Sequence, residues 1–322
     1  MTLWKPTRRK LIAGAAASTL AKPALAWFPH GKSAPAQGPL VFNITYWPSW
    51  AVTPSGNFPD TATMNAATAV VQRVCQDLST WFCSATSSTA TINVNFGWGS
   101  YGPSNAVVGT GAVADTQDPT AAGLTYAQYR SILLGLPTDN VKSVAYNLVN
   151  LPVSDPGGID LGTQTQGQHA IWNGTTMVGT TYIGFENRTW DMTVDGKSNS
   201  ISAPGLYQSG VHEVTYPMGR EAYDVVNIFK FSAPGVRDQS HTDDLAYLSF
   251  DQGSTNVYGT VGHFSQTERM SFVDTPTSPF NWYVSYGPWS GAGAQYWTAP
   301  DYQYMSCIGV PMTDAGKALL GI

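Results

Sequence analysis

The order of strand and helix patterns along the 322-residue chain predicts an α+β domain. Residues 40–46 and 91–96 read as strands, and a long helical pattern separates them. A third strand is predicted at 180–185, followed by a helix over about 203–218. Irregular chain follows that helix. Strands that come early, a helix that comes late and a loop-rich end are typical of an α+β enzyme domain.

The first half of the chain contains the clearest periodic patterns. The strand at 91–96 alternates strictly, which predicts one buried face. Residues 97–120 are rich in glycine and are predicted as loop, and two shorter helices are predicted at 126–134 and 140–150. In the first helix, over about 62–82, these apolar positions recur at helical spacing: Ala67, Val70, Val71, Val74 and Leu78.

The second half of the chain gives weaker signals outside its central helix. Residues 187–199 are polar and predict a surface excursion. The segments 243–250 and 256–258 predict a hairpin around a Gly-containing turn. Residues 313–320 predict a closing helix that begins at Thr313.

Composition is typical of an exported, turn-rich protein with much β-structure. Charged residues make up only 11% of the chain, whereas 32 Gly, 21 Pro and 16 Tyr are present. No cluster of Lys and Arg follows the N-terminus, which argues against nucleic acid as a partner.

The segment 1–26 predicts a signal peptide. Arg8 and Arg9 precede an apolar run, and Ala24-Leu25-Ala26 offers a small-x-small cleavage site. The paired arginines favour twin-arginine translocation, with an ordinary secretory signal as the alternative. The apolar run is too short for a membrane span. We therefore expect a periplasmic or extracellular protein, recognised as a precursor by the twin-arginine export machinery, with a linker at 27–39 and one domain at 40–322.

The three cysteines, Cys75, Cys83 and Cys307, permit one disulfide and one free thiol. Cys75 and Cys83 lie too far apart to bond if both are on one straight helix. A bridge from Cys307 to one of them would tie the C-terminus to the first helix. A chain without any bridge is the alternative.

The adjacent residues His212 and Glu213, in the second half of the predicted central helix, carry the clearest chemistry. In zinc peptidases the His of such a pair binds zinc and the Glu polarises the attacking water. The fifth position of the motif is here Tyr216, one helical turn after His212. Pro217 follows and disfavours helical geometry at Tyr216, so the helix is predicted to kink or end there and to turn the Tyr216 side chain off the His212 face.

Several segments, in the same order along the chain, carry a family resemblance: Val211–Thr215, Met218–Arg220, Ile92–Gly99, Leu151–Pro156, Tyr182–Phe185 and Phe229–Asp238. They resemble exported bacterial metalloproteases whose motif reads His-Glu-x-x-Glu-x-Met-Gly-Arg. The resemblance covers roughly residues 40–320. It implies a zincin-like (metzincin-like) fold with a mixed sheet, an active-site helix, and the strand Tyr182–Phe185 as the edge beside the cleft. This chain departs from the family at Tyr216, where the family has Glu.

The resemblance implies a zinc-dependent endopeptidase, a hydrolase that acts on a peptide or protein substrate. His212 would bind Zn²⁺, and Glu213 would take a proton from the attacking water. A catalytic zinc needs at least three protein ligands, and the further candidates are Tyr216, Asp224 and His241. His263 is isolated in the sequence and is a weaker candidate.

Two other functions remain open from the sequence. Tyr216-Pro217 favours a zincin-like protein that has lost catalysis and serves as a binding or structural module. Glu186, Asp191 and Glu213 could supply paired carboxylates for a carbohydrate-active protein. Zinc content, peptide cleavage and binding to insoluble polysaccharide separate the three possibilities.

Overall fold

The fold is built on one mixed sheet with helices packed against it. A computed structural model describes residues 36–52, 56–108, 114–121, 123–136, 151–155, 164–193, 205–220, 229–237, 247–254, 305–306 and 308–320. The predicted signal peptide and the predicted helix at 140–150 lie outside these residues. The α+β class predicted from the sequence is confirmed.

The main sheet has these strands: β1 (Leu40–Tyr46), β2 (Ala90–Trp98), β3 (Ser100–Tyr101), β4 (Ala106–Val107), β5 (Ala114–Gln117) and β6 (Thr181–Phe185). Strand β2 is central, because β1 and β6 both run parallel to it. Strand β5 runs antiparallel to β6 and is the last strand on that side. The sheet is therefore mixed.

Strands β3, β4 and β5 correct the prediction of loop over residues 97–120. Gly99 has φ +77°, a value that favours glycine, and it reverses the chain between Trp98 and its partner Ser100. The edge strand is β5, so the expectation that Tyr182–Phe185 forms the edge is wrong. That strand, β6, is paired on both sides, with β2 and with β5.

The described part of the chain contains five α-helices: α1 (Thr61–Trp81), α2 (Tyr126–Gly135), α3 (Gln166–Asn173), α4 (Leu206–Thr215) and α5 (Asp314–Leu320). All except α3 lie where the sequence pattern predicts a helix. Two local signals mark α3, namely the Thr165 side chain, which accepts the Gln168 N–H, and Gly174 in the left-handed conformation at its end.

Helix α1 follows directly from its sequence pattern. The Asp60 carboxylate accepts the Thr63 N–H at 2.7 Å and caps the first turn. All five apolar positions predicted for the buried stripe are buried. The last turn of α1 contacts the start of α5, where the Thr313 N–H donates to the Trp81 carbonyl at 2.9 Å.

The two faces of the sheet differ in chemistry, as the alternation in β2 predicts. Ile92, Val94 and Phe96 point to one face and are fully buried in the core. On the other face the Asn43 amide donates to the Asn93 side chain at 3.1 Å. The helices can therefore cover only the first face with apolar contacts.

A smaller antiparallel sheet contains β7 (Lys230–Ala233), β8 (Val236–Arg237) and β9 (Tyr247–Leu248). Strand β7 pairs with both of the others. The hairpin predicted from the sequence stays a prediction. Its first strand, 243–250, contains β9. Its predicted partner, 256–258, lies outside the described residues.

The cysteines are buried where the structure describes them. No disulfide joins Cys75 to Cys83, and the two cysteines do not share one helix, because α1 ends at Trp81. Burial raises the pKa of the Cys75 thiol far above its usual range. Cys307 lies outside the described residues. No helix within the described ranges is long and apolar enough to cross a membrane.

Candidate functional site

Helix α4 is enclosed by the rest of the fold, and all ten of its residues are buried. On one side it crosses α1 at Gly210, where a Cβ would lie 3.0 Å from the Val74 side chain. Glycine at this position therefore lets the two helices approach closely. On another side α4 contacts the edge strand β5 through a polar contact between Thr116 and Glu213.

His212 and Glu213 lie in the second half of α4, where the sequence predicts them. Their exposed fractions are 1% and 2%. The Nε2 atom of His212 lies 3.7 Å from Oε1 of Glu213, so the two functional groups face a common space. The hydroxyl of Thr215 donates to the His212 carbonyl at 2.8 Å. It thereby satisfies one of the carbonyls near the helix end, which lack the usual partner within an α-helix.

The carboxylate of Glu213 is bound by the edge strand. Thr116 pairs with Ile183 in β6, so its side chain lies on the helix-covered face of the sheet. Its hydroxyl donates a hydrogen bond to Oε2 of Glu213. Thr116 could not be recognised from the sequence, because its segment is predicted as loop.

Asp115 points to the opposite face and is held by two donors. It accepts the hydroxyl of Tyr101 and, at 2.9 Å, the backbone N–H of Thr116. Burial raises the pKa of Tyr101 above its usual range, and Asp115 raises it further through the hydrogen bond and its negative charge. The charge of Glu213 adds to this shift, so these acidic groups share one electrostatic environment.

Helix α4 changes from an α-helix to a π-helical turn at Tyr216. The α-helix ends at Thr215, and Tyr216–Arg220 form a π-helical turn in which Gly219 has φ 107°. Tyr216 keeps right-handed helical geometry, with φ −57° and ψ −55°, so the predicted kink or end at the residue before Pro217 is wrong. Helical backbone geometry continues through Met218, as predicted, and the kink lies at Gly219.

The side chain of Tyr216 nevertheless stays beside His212. The two rings lie edge to face, with centroids 5.0 Å apart and planes at 88°. The expectation that the kink turns Tyr216 off the His212 face is therefore wrong. The π-helical turn keeps both side chains on the same side.

The start of α3 supports the π-helical turn. The hydroxyl of Thr165 donates to the carbonyl of Pro217 at 2.7 Å. Gly167 packs against the same carbonyl, because a Cβ there would lie 2.3 Å from that oxygen. Gly219 in turn packs against the side chain of Gln168. These contacts constrain the backbone of the π-helical turn on both sides of its kink, and the local sequence does not predict them.

The candidate metal ligands are only partly described. His212 and Tyr216 offer an imidazole and a phenol, which are zinc donors in kind, but a catalytic zinc needs three protein ligands. The described ranges contain no group of three His, Cys, Asp or Glu side chains able to hold a metal. Asp224, His241 and His263 lie outside those ranges. The described donors therefore fit zinc in type and are too few by themselves.

The three carboxylates considered for sugar chemistry have different partners. Glu186 pairs with Arg188 at 3.0 Å. Asp191 accepts the backbone N–H of Thr193 at 2.9 Å, whereas Glu213 accepts from Thr116. These interactions give no indication of a carboxylate pair.

A groove of about 740 Å³ lies between the first turns of α1, the end of β2 and the chain after β6. Phe58, Trp98 and Trp190 line it. These aromatic side chains are 0%, 1% and 6% exposed, so they offer little open ring surface for stacking. Trp190 is therefore buried within the segment 187–199 that is predicted as a polar surface excursion, of which residues 187–193 are described.

No model of a known protein family, no curated protein and no solved structure matches the chain. The resemblance to exported metalloproteases therefore stays a prediction.

Proposed function

We propose that the protein is an exported, zinc-dependent endopeptidase with a zincin-like fold, in which α4 is the active-site helix. The observation that carries the proposal is the buried pair His212 and Glu213, with the carboxylate of Glu213 bound by the edge strand. The substrate is a peptide or protein. The cofactor is Zn²⁺.

The free-energy cost of burying His212 and Glu213 supports a functional role for the pair. Burying a carboxylate and an imidazole costs free energy unless hydrogen bonds offset it. The hydroxyl of Thr116 supplies one such bond to Glu213. Apolar residues at positions 212 and 213 would stabilise the core without that cost, and polar groups retained in such places cluster at functional sites.

The arrangement of the elements also supports the proposal. The resemblance implies a mixed sheet, an active-site helix and an edge strand beside the cleft. Strand β5 takes the part of that edge strand, and it contacts α4 at Glu213. The strand at Tyr182–Phe185, which the sequence favoured for this part, lies one position further inside the sheet.

In the proposed mechanism His212 would hold the metal, and the neighbouring Tyr216 would be a further donor. Bound zinc would polarise the peptide carbonyl and make the attacking water more acidic. Glu213 accepts a proton from that water as the water attacks the carbonyl carbon. The carboxyl then donates the proton to the amine that leaves when the peptide bond breaks.

Metal analysis and cleavage assays on the purified mature protein test the proposal. We expect about one zinc per chain, and its removal by a chelator should abolish cleavage of an unfolded protein substrate. His212→Ala should lose zinc and cleavage together. Glu213→Gln should keep zinc and lose cleavage, because only the proton acceptor is removed.

Glu186→Gln is the matched control, since Glu186 is a carboxylate that pairs with Arg188. It should cleave at the wild-type rate. A well-folded wild-type protein that contains no metal and cleaves nothing would overturn the proposal. Wild-type cleavage by Glu213→Gln would remove Glu213 from the mechanism.

A catalytically inactive zincin-like binding or structural protein is the second candidate. The observation that favours it is the ring of Tyr216 packed against His212, where the family has a carboxylate. In this case Tyr216→Glu would restore a carboxylate ligand. The variant should then bind zinc more tightly than the wild-type protein, as measured by competition with a chromogenic chelator.

A further inference from the structure

We infer that Thr116 is a positioning residue that holds the Glu213 carboxylate in the orientation needed for proton transfer. The inference rests on the proposed function, because it assigns Glu213 the role of general base. It adds a residue that belongs to no part of the His-Glu motif. Thr116 is separated from Glu213 by 97 positions in the sequence.

The register of the sheet aims Thr116 at α4. Strand β5 is antiparallel to β6, and Thr116 lies opposite Ile183, whose side chain is fully buried. Successive side chains in a strand point to opposite faces, so Asp115 and Gln117 lie on the other face. Thr116 is therefore the residue at the centre of β5 that can reach the helix.

The hydrogen bond distinguishes the two oxygens of the carboxylate. The hydroxyl of Thr116 donates to Oε2. The other oxygen, Oε1, lies 3.7 Å from Nε2 of His212. One oxygen is thus tied to the strand while the other is directed to the side where His212 would hold the metal and its water.

The backbone of Thr116 is itself constrained by hydrogen bonds and packing on the opposite face of the sheet. Its backbone N–H donates to Asp115 at 2.9 Å, and Asp115 also accepts the hydroxyl of Tyr101. Tyr101 packs over the backbone of Gly184, where a Cβ would lie 2.2 Å from the ring. The hydroxyl of Thr116 is therefore presented by a strand whose own position is constrained.

Thr116→Val tests the inference, because valine has the shape of threonine and lacks the hydroxyl. We expect kcat to fall about 10- to 100-fold with little change in KM, since a hydrogen bond to a charged group is lost and a reacting group is misplaced. Thr116→Ser should restore most of kcat. Zinc content should equal that of the wild-type protein.

Thr181→Val is the matched control. Thr181 is a buried residue in the neighbouring strand, and its hydroxyl donates to Asp118 at 2.6 Å. It should keep the wild-type kcat after correction for the folded fraction. If Thr116→Val does not fold, Thr116→Ala removes the same hydroxyl in a smaller side chain and gives the same comparison with Thr116→Ser.

A double-mutant cycle separates positioning from general packing. In the Glu213→Gln background, Thr116→Val should have no further effect on the residual rate. Wild-type kcat in Thr116→Val, together with lost cleavage in Glu213→Gln, would overturn the inference and leave the proposed function standing. Equal losses in the Val and Ser variants would also overturn it. Retained cleavage in Glu213→Gln would remove Glu213 from the mechanism and would overturn the inference with it, whereas a metal-free wild-type protein that cleaves nothing would overturn the proposed function.

Discussion

Helices α1 and α4 pack against each other, but they differ in the kinds of residue that they bury. Helix α1 buries a single apolar stripe and exposes polar residues on its other side. Helix α4 is buried on every side. It nevertheless carries these polar residues in its ten positions: Gln208, Ser209, His212, Glu213 and Thr215. Packing explains the sequence of α1 and leaves much of α4 unexplained.

The ends of the two helices differ in the same way. Asp60 caps α1 with its carboxylate, and the hydrogen bond from Thr63 lowers the pKa of Asp60. Helix α4 begins at Gly205 without a side-chain cap and ends in the π-helical turn. The comparison teaches that α4 is held in place by its neighbours rather than by its own sequence. Such a helix can carry residues chosen for chemistry.

Leu78→Ala should have the largest effect on stability among the changes that test this comparison. Leu78 is fully buried in the apolar stripe of α1. Its truncation should cost about 2–5 kcal/mol of the free energy of unfolding, because it leaves a cavity. Urea denaturation measures the loss. The exposed Gln76→Ala, on the same helix, should change stability by less than about 0.5 kcal/mol. Similar losses in the two variants would show that the stripe does not hold α1.

Gly219→Ala should have the next largest effect, at the end of α4. Its φ of 107° is a conformation that side chains rarely adopt, and a Cβ would lie 2.5 Å from the Gln168 side chain. We expect a loss of about 1–3 kcal/mol. Gly135→Ala is the control, since Gly135 ends α2 with open space around it. It should leave stability unchanged or raise it. A stable Gly219→Ala would mean that α3 does not enforce the π-helical turn.

Tyr207→Phe should have a smaller effect, at the contact between the two helices. The hydroxyl of Tyr207 in α4 donates to Asp77 in α1 at 2.6 Å. Its loss should cost about 1 kcal/mol in urea denaturation. Tyr46→Phe is the control. The Tyr46 hydroxyl accepts from the Gln72 amide at 3.3 Å, and this hydrogen bond is exposed to solvent. Equal losses of stability in the two variants would show that the hydrogen bond from Tyr207 to Asp77 stabilises the protein no more than the exposed hydrogen bond does.

The fold could be predicted where local periodicity is strong. The strands β1, β2 and β6 and the helix α1 each have a pattern that repeats over several residues. The strand β5 could not be predicted, because Ala114–Gln117 is too short and polar to carry a pattern. Its pairing with β6 makes it a strand. Tertiary contact therefore overrides a local sequence that indicates loop.

The candidate site likewise contains residues that the sequence reveals and residues that only the tertiary structure reveals. His212 and Glu213 are adjacent in the sequence and could be recognised as a pair. Thr116 could not be recognised, because its role depends on the register of β5. The local rule for a residue before proline predicts a kink at Tyr216, but Tyr216 stays helical and the kink lies at Gly219, where α3 contacts the π-helical turn.

Glu213→Gln should have the smallest effect on stability, and this separates α4 most sharply from α1. Glutamine has the same shape, keeps an oxygen that can accept from Thr116, and removes a charge from a position that is 2% exposed. We expect the free energy of unfolding to stay within about 1 kcal/mol of the wild-type value, or to rise. Cleavage should nevertheless be lost. A loss of more than about 3 kcal/mol would instead mean that Glu213 stabilises α4 as Leu78 stabilises α1, and that its burial has a structural reason.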